Sequence, residues 1–277
     1  MKLSICSYSF HRTTAAGKMD VFSYIDFCKE FGCTQLDPWN AHLSQAASGE
    51  DMIHTGRNPN DARLEPPEDA FVQKVKDHAT KSGLPWGNLA VDGGHIYDAD
   101  TDKMLENRRR RLRWIEIAAE LGVESVRVDA GGPEDMPDDV FERIADGYRE
   151  AIDLAGKYNI EVLVENHWGP TPHPENVIRL MENVKGLGLL FDTNNWAKGK
   201  QALGWKECAK YARATHFKCL YWHPDGEEVS QHLGHAVQIL KDTGYDGVWG
   251  IESVPREIDE YEGVKKTKAL IEKYVKA

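Results

Sequence analysis

Long apolar runs are missing from this 277-residue chain. None approaches the roughly 18 residues a membrane-spanning helix needs, so no membrane partner is expected. Positive charge is in deficit: 34 Lys and Arg stand against 45 Asp and Glu, a formal net charge of −11. That balance argues against a general nucleic-acid partner. Cysteine is scarce. Cys6, Cys28, Cys33, Cys208 and Cys219 are odd in number and form no CxxC pair. They are expected to be reduced, packed thiols rather than a disulfide framework. The opening MKLSICSYSF has no charged n-region, long apolar h-region or small-residue cleavage site. A cytoplasmic location is the expectation. No GxGxxG follows the first β-rich run, which weighs against a doubly wound dinucleotide fold.

What is present is a rhythm. Apolar residues make up 41% and charged residues 29%, enough apolar mass for a real core. Short β-rich runs alternate with longer helical patterns from end to end, as βα units with a parallel sheet require. Strands are predicted at Leu3–Phe10, Thr34–Pro38, Trp86–Asp92, Ser125–Ala130, Glu161–His167, Leu187–Thr193, Thr215–Tyr221 and Val248–Ser253. Helices are predicted at Val21–Phe31, Pro67–Ser82, Met104–Leu121, Asp138–Tyr158, Pro174–Val184, Trp205–Ala212, Val229–Asp242 and Ile258–Val275. Gly32, Gly83, Gly122, Gly186 and Gly244 fall between helix and strand, where C-cap glycines belong. Eight units predict a single (β/α)8 barrel, the TIM barrel, as one domain over residues 1–277. Residues 40–64 break the rhythm as a long polar stretch, which reads as a functional or mobile loop. Arg108, Arg109, Arg110 and Arg111 lie within one helix and read as a solvated, paired face.

Side-chain parity then locates a site. Alternate residues of a barrel strand face the helices or the interior. In the fifth predicted strand, Val162 and Val164 take the helix-facing phase, so Glu165 and His167 point inward. By the same count Asp192 ends the sixth strand facing inward, with Leu189 and Phe191 outward. His216 and Lys218 share the inward phase of the seventh. Glu252 ends the eighth, with Trp249 and Ile251 outward. Four successive strands thus aim Glu165, Asp192, His216 and Glu252 at the C-terminal mouth, where barrel active sites lie. Three carboxylates that close repel unless a positive charge sits between them. One divalent metal ion (Mn, Mg, Co, Fe or Zn) answers that need. Around it, Lys218 suits an oxyanion or an ion pair, and His167 a proton carrier or a substrate contact. Arg127 suits a substrate contact or a salt bridge with Asp129 or Glu165. Asp37, Trp39 and His95 stand at the C-terminal ends of strands two and three as pocket candidates. Trp168, Trp196 and Trp222 fall beside the mouth, where aromatic walls suit sugar rings.

The segments VENH, LLFDTNNW, THFK and GIES, with the opening SICSYSF, resemble the xylose isomerase-like barrel superfamily, which includes sugar-phosphate isomerases and epimerases. The resemblance runs over essentially the whole chain in rhythm and is most specific in the C-terminal half. It implies that Glu165, Asp192, His216 and Glu252 are metal ligands and that Glu165 and Glu252 are also the acid/base pair of a ketose 3-epimerase-type reaction. The chain departs from that branch at two points. Asn195 stands where the branch carries His three residues after the Asp ligand. Trp222 and His223 stand near the place of an arginine that follows the His ligand.

A cation that polarises a carbonyl and its neighbouring hydroxyl acidifies the C–H between them, and a ligand carboxylate can then take that proton. The reading is a metal-dependent isomerase or epimerase acting on a small sugar or sugar-like polyol. A dehydratase of a keto-inositol or keto-sugar uses the same four ligands and is the alternative. An apurinic-site endonuclease calls for more histidines in the early strands and a basic groove. A non-catalytic binding protein would be expected to have lost the inward carboxylates. Nothing in the sequence forbids a homo-oligomer.

Overall fold

Strand β1 (Leu3–Ile5) opens the chain and runs through a 3-10 turn, Ser7–Phe10, into the short helix α1 (His11–Ala15). The expected strand to Phe10 is therefore cut short, because the Ser9 N–H bonds back to the Cys6 carbonyl. Helix α2 (Val21–Phe31) follows, then α3 (Asp69–Ser82), β2 (Asn88–Val91), α4 (Thr101–Leu121), β3 (Ser125–Val128) and α5 (Asp138–Gly156). The second half alternates strictly: β4 (Glu161–Glu165), α6 (Pro174–Asn183), β5 (Leu187–Asp192), α7 (Gln201–Cys208), β6 (Ala212–Cys219), α8 (Leu233–Asp242), β7 (Trp249–Ser253) and α9 (Glu260–Val275). The computed structural model describes residues 1–44 and 64–276. Most of the long polar stretch at 40–64 thus lies outside the described residues.

The sheet has seven parallel strands in the order β1-β7-β6-β5-β4-β3-β2. One member of the expected eight is not a strand. Residues 34–39 sit between β1 and β2, but their ladder is reduced to isolated parallel bridges, Cys6 with Asp37, Leu36 with Trp86 and Trp39 with Ala90. The reason is where the backbone donors go. The Asp37 N–H donates to the Tyr24 hydroxyl and the Trp39 N–H to Ser7 Oγ, at 3.0 and 2.9 Å. Pro38 between them has no N–H to give.

Local chemistry explains the helix ends. Asp20 and Ser23 form a reciprocal capping box on α2. The Asp100 side chain accepts from the Asp102 and Lys103 N–H groups, so α4 starts at Thr101 rather than at Met104. Gly122 closes α4 at φ +80, with its N–H on the Ala118 carbonyl. A side chain is disfavoured in that left-handed region. Pro174 opens α6, and Asp138 and Asp139 sit in the first turn of α5.

The helix-facing phase of the strands is apolar and sealed: Val162, Val164, Leu189, Phe191, Phe217 and Ile251 belong to the main core. Each such side chain contributes about 1.5–3 kcal/mol by leaving water. The interior phase divides in two. Leu163, Leu190, Ala214 and Val248 form a separate apolar cluster inside the β4–β7 half. The β1–β3 half carries Ser4, Asn88 and Ser125 instead, all buried. A register shift between Leu189 and Leu190 pairs Leu189 with Ala212 and Leu190 with Ala214, which leaves Arg213 as the extra residue of β6. That bulge sets Asp192 opposite His216.

Candidate metal centre

Glu165, Asp192, His216 and Glu252 come together at one end of β4–β7. Each offers an atom within 4.8 Å of the others'. All four are buried. The Asp192 carboxylate is split in function. Its Oδ1 accepts the Asn194 and Asn195 N–H groups at 2.6 and 2.8 Å, while Oδ2 is buried without a hydrogen bond. Asn166 clamps the backbone of Asp192 from both sides, its amide accepting from the N–H and donating to the carbonyl. His216 is split likewise. Its Nε2 lies 3.2 Å from Asp37 Oδ2, and its Nδ1 faces Glu252 Oε2 at 3.1 Å and Glu165 Oε1 at 3.8 Å without a hydrogen bond. At Gly250, next to this ring, an added Cβ would lie 2.1 Å from the Thr215 carbonyl and 3.3 Å from His216 Cδ2. Only glycine lets β7 approach β6 so closely.

Positive charge is already drawn to these carboxylates. Lys218 Nζ lies 3.1 Å from Glu252 Oε1 and 3.6 Å from Asp192 Oδ2, and donates to Asn195 Oδ1. Burial works against its charge, but Glu252 and Asp192 hold the ammonium above its ordinary range. Burial, with Glu252 and Glu165 close by, pushes the Asp192 carboxyl up to about 7 despite Lys218. Glu252 is held well below the usual range against burial, by Lys218 and His216. Three carboxylates, one imidazole nitrogen and two buried atoms without hydrogen bonds fit a divalent cation with mostly oxygen ligands.

A second charged network flanks the first. Arg127, 4% exposed, reaches Asp92 Oδ1 at 2.7 Å, Asp129 Oδ2 at 2.8 Å and Glu165 Oε2 at 3.0 Å. Burial alone would weaken its charge; Asp129, Asp92 and Glu165 outweigh that. Asp129 Oδ2 also takes Trp168 Nε1 at 3.0 Å and faces His167 Nδ1 at 3.2 Å. Burial lowers the His167 imidazole, but Asp129 and Glu165 overcome it and raise it to about 9.

Both networks border one cavity of about 650 Å³. Among the residues expected from sequence, Trp39, His95, Arg127, Glu165, His167, Asn195, His216 and Glu252 line it. Asp37 does not: it lies beneath His216, 1% exposed. Asp192 and Lys218 close the site from behind Glu252 and Asn195. Trp222 and His223 fall outside the wall. Glu228 accepts the Leu220, Tyr221 and Ser230 N–H groups, tying 220–230 into a turn that ends before α8 begins at Leu233. Trp222 packs on the main core, and His223 is exposed. Trp168 meets His95 edge-on at the wall, whereas Trp196 packs on Phe191. Sequence reasoning missed Tyr8, Asp92, Lys103 and Asn107, which also line the cavity. Asp92 carried a signal, since it ends its strand as Asp192 does. Asn107 and Lys103 come from α4, and strand parity is blind to helices.

Residues 25–274 match the profile of the xylose isomerase-like TIM barrel family, and the chain belongs to that family. Comparison with curated proteins finds no match. Among solved structures, the chain is similar to the 3-keto-D-glucoside 4-epimerase YcjR from E. coli, with a TM-score of 0.71 and 15% identity over 98% of each chain. It is similar to L-ribulose 3-epimerase, with a TM-score of 0.74 and 13% identity over 100% of this chain and 95% of the other. IolI, solved with a zinc atom bound, gives a TM-score of 0.74 and 15% identity over 99% and 98%. At such identity the likeness is one of fold.

Proposed function

We propose that this protein is a divalent-metal-dependent isomerase or epimerase of a sugar or sugar-like polyol, a closed eight-unit barrel acting as one domain in the cytoplasm. One observation carries the reading. Four ligand-type side chains from four consecutive strands offer atoms within 4.8 Å of one another, three of them line a cavity of about 650 Å³, and two of their buried atoms, Asp192 Oδ2 and His216 Nδ1, have no hydrogen bond. The family supports it. Similar structures, two epimerases and a zinc-bound protein, point the same way. The five buried free thiols suit a reducing compartment.

Glu165, Asp192, His216 and Glu252 would hold the ion. When bound, it would polarise a substrate carbonyl and its neighbouring hydroxyl and offset the negative charge that develops there. The chain supplies the rest. Arg127 and His167 hold Glu165 below the ordinary carboxylate range against burial, and Lys218 and His216 do the same for Glu252. Both carboxylates are thus ionised at neutral pH and able to take a proton from a C–H beside the carbonyl. Return of a proton to the opposite face of that carbon gives epimerisation, and return to the adjacent carbon gives isomerisation. Asn195 and the His167 edge line the cavity to meet hydroxyls, and Trp39 and Trp168 supply aromatic wall.

The test is proton exchange followed by NMR in D2O, with Mn and a panel of keto- and aldo-sugars. Deuterium entering C2 or C3 is the expected result. Loss of water without rearrangement would replace this reading with that of a dehydratase.

A further inference from the structure

The interior of the β1–β3 half is polar for a reason that the cavity does not explain. Asp37 has no access to the cavity, yet its carboxylate is fully engaged. Oδ2 takes the Ser4 hydroxyl at 3.2 Å and faces His216 Nε2 at 3.2 Å. Oδ1 takes the Asn88 amide at 3.3 Å, and Asn88 Oδ1 in turn accepts the Ser125 hydroxyl at 3.3 Å. The backbone is pinned as well. The Asp37 N–H donates to Tyr24 Oη, whose own hydroxyl donates to the Ile5 carbonyl at 2.6 Å. A hydrogen-bonded line of Ser125, Asn88, Asp37 and His216 therefore crosses the interior of the sheet. It starts at a second cavity of about 400 Å³, lined by Asn88 and Ser125, and ends at the metal-ligand set.

We infer that Asp37 is a positioning residue: it accepts the Nε2 proton of His216 and so commits Nδ1 to the cation. A neutral imidazole carries one N–H and one lone pair, and a carboxylate on one nitrogen decides which is which. Here the carboxylate stands on Nε2, while Nδ1 looks toward Glu165 and Glu252. A carboxylate behind the ring also raises the basicity of the ligating nitrogen and holds the ring plane. Asn88 and Ser4 orient the carboxylate in turn. The inference rests on reading the quartet as a cation site. It adds to that reading a role for a residue that touches neither the cavity nor the quartet's carboxylates.

A competing trio lies beside it. Cys6, Asp37 and His216 also offer ligand atoms within 4.8 Å of one another. If the ion sat there, Asp37 would be a ligand and not a positioning group.

The experiment is Co(II) and Mn(II) titration of the full-length wild type, Asp37→Asn and Asn88→Ala, by calorimetry, with visible and near-ultraviolet spectra of the cobalt form. Asp37→Asn keeps the volume and an acceptor but loses the charge. We expect it to bind either ion about 10–100-fold more weakly, as outer-shell changes do, and to shift the cobalt ligand-field bands. Asn88→Ala leaves Asp37 in place and is expected to lose less than about tenfold, so it tests the same line even if Asp37→Asn does not fold. A purely structural role would lower the melting temperature of the cation-free variants and leave cobalt affinity and bands unchanged, which would overturn the inference. A strong thiolate-to-cobalt charge-transfer band would also overturn it by placing the ion on Cys6. Failure of the wild type to bind either ion would remove the quartet reading and this inference together, whereas tight wild-type binding with unchanged variants would remove the inference alone.

Discussion

The two halves of the sheet interior solve opposite problems. On the β4–β7 side, ligand-type residues crown an apolar layer of Leu163, Leu190 and Ala214, each two positions before Glu165, Asp192 and His216. On the β1–β3 side, the interior is Ser4, Asn88 and Ser125 beside Asp37, topped by Arg127 with Asp92 and Asp129. The first half brings like charges together and leaves two of their atoms without hydrogen bonds. The second half also leaves two buried atoms, Arg127 Nε and Asp129 Oδ1, without hydrogen bonds, but its carboxylates surround an arginine. Burying a carboxylate costs several kcal/mol unless it is paired, so the two arrangements have different meanings. The half built around Arg127 acts as a frame, its carboxylates paired with a fixed cation, whereas three carboxylates and an imidazole gathered beside Lys218 are the arrangement that the proposed ion would complete.

The comparison can be broken first at Glu252. Glu252→Gln keeps the shape but removes a proton acceptor, and is expected to slow solvent exchange into substrate by roughly 10²–10⁴-fold, read by NMR. A loss under threefold would end its role. Next comes the frame. Arg127→Met strands Asp92, Asp129 and Glu165 in the interior, and is expected to cost about 3–5 kcal/mol in urea denaturation. A loss near zero would mean that this half is not a frame.

The halves should also differ in their response to pH. Asp192, raised to about 7 by burial, Glu252 and Glu165, keeps its proton below neutrality when no cation is bound. A carboxyl raised in the folded state stabilises most below its ordinary range and loses that contribution as the pH rises through about 7. A binding cation must displace that proton. Calorimetry in buffers of different ionisation enthalpy should find more protons released per cation at pH 6 than at pH 8. Equal release would remove Asp192 from the ligand set. The smallest effect is expected far from both halves. Arg108 pairs with Glu150 on the exposed face of α4. Arg108→Ala should change stability by no more than about 1 kcal/mol in the same urea assay.

Much of the ligand half was legible because strand parity is a local property. Val162 and Val164, then Leu189 and Phe191, mark the outer phase, and the inward carboxylates follow by counting. The frame was less legible. Arg127 was readable as inward, but its link to Asp92 pairs residues from two separate units. The arginine run was legible only in part. Arg108 and Arg109 pair at the surface with Glu150 and Glu106, and the buried Arg110 pairs with Glu65. Arg111, 2% exposed, donates to the Gly94 and His95 carbonyls. The run of like residues hid that difference, since burial depends on which helix face meets the sheet. Trp222 and His223 do not line the cavity, since they lie on a turn held by Glu228.

By itself, the order of residues determined the alternation of strands and helices, the glycines that close α2, α3 and α4, and the inward phase of Glu165, Asp192, His216 and Glu252. All of these follow from φ/ψ preferences and from side chains alternating along a strand. Only the tertiary structure decided that residues 34–39 would bridge rather than pair, that a bulge at Arg213 would set Asp192 against His216, and that Asp37 would stand behind the ring instead of in the cavity. Those outcomes depend on hydrogen-bond partners distant in sequence, Tyr24 for Asp37 and Asp37 for His216, and no periodicity in a single chain encodes a partner that far away.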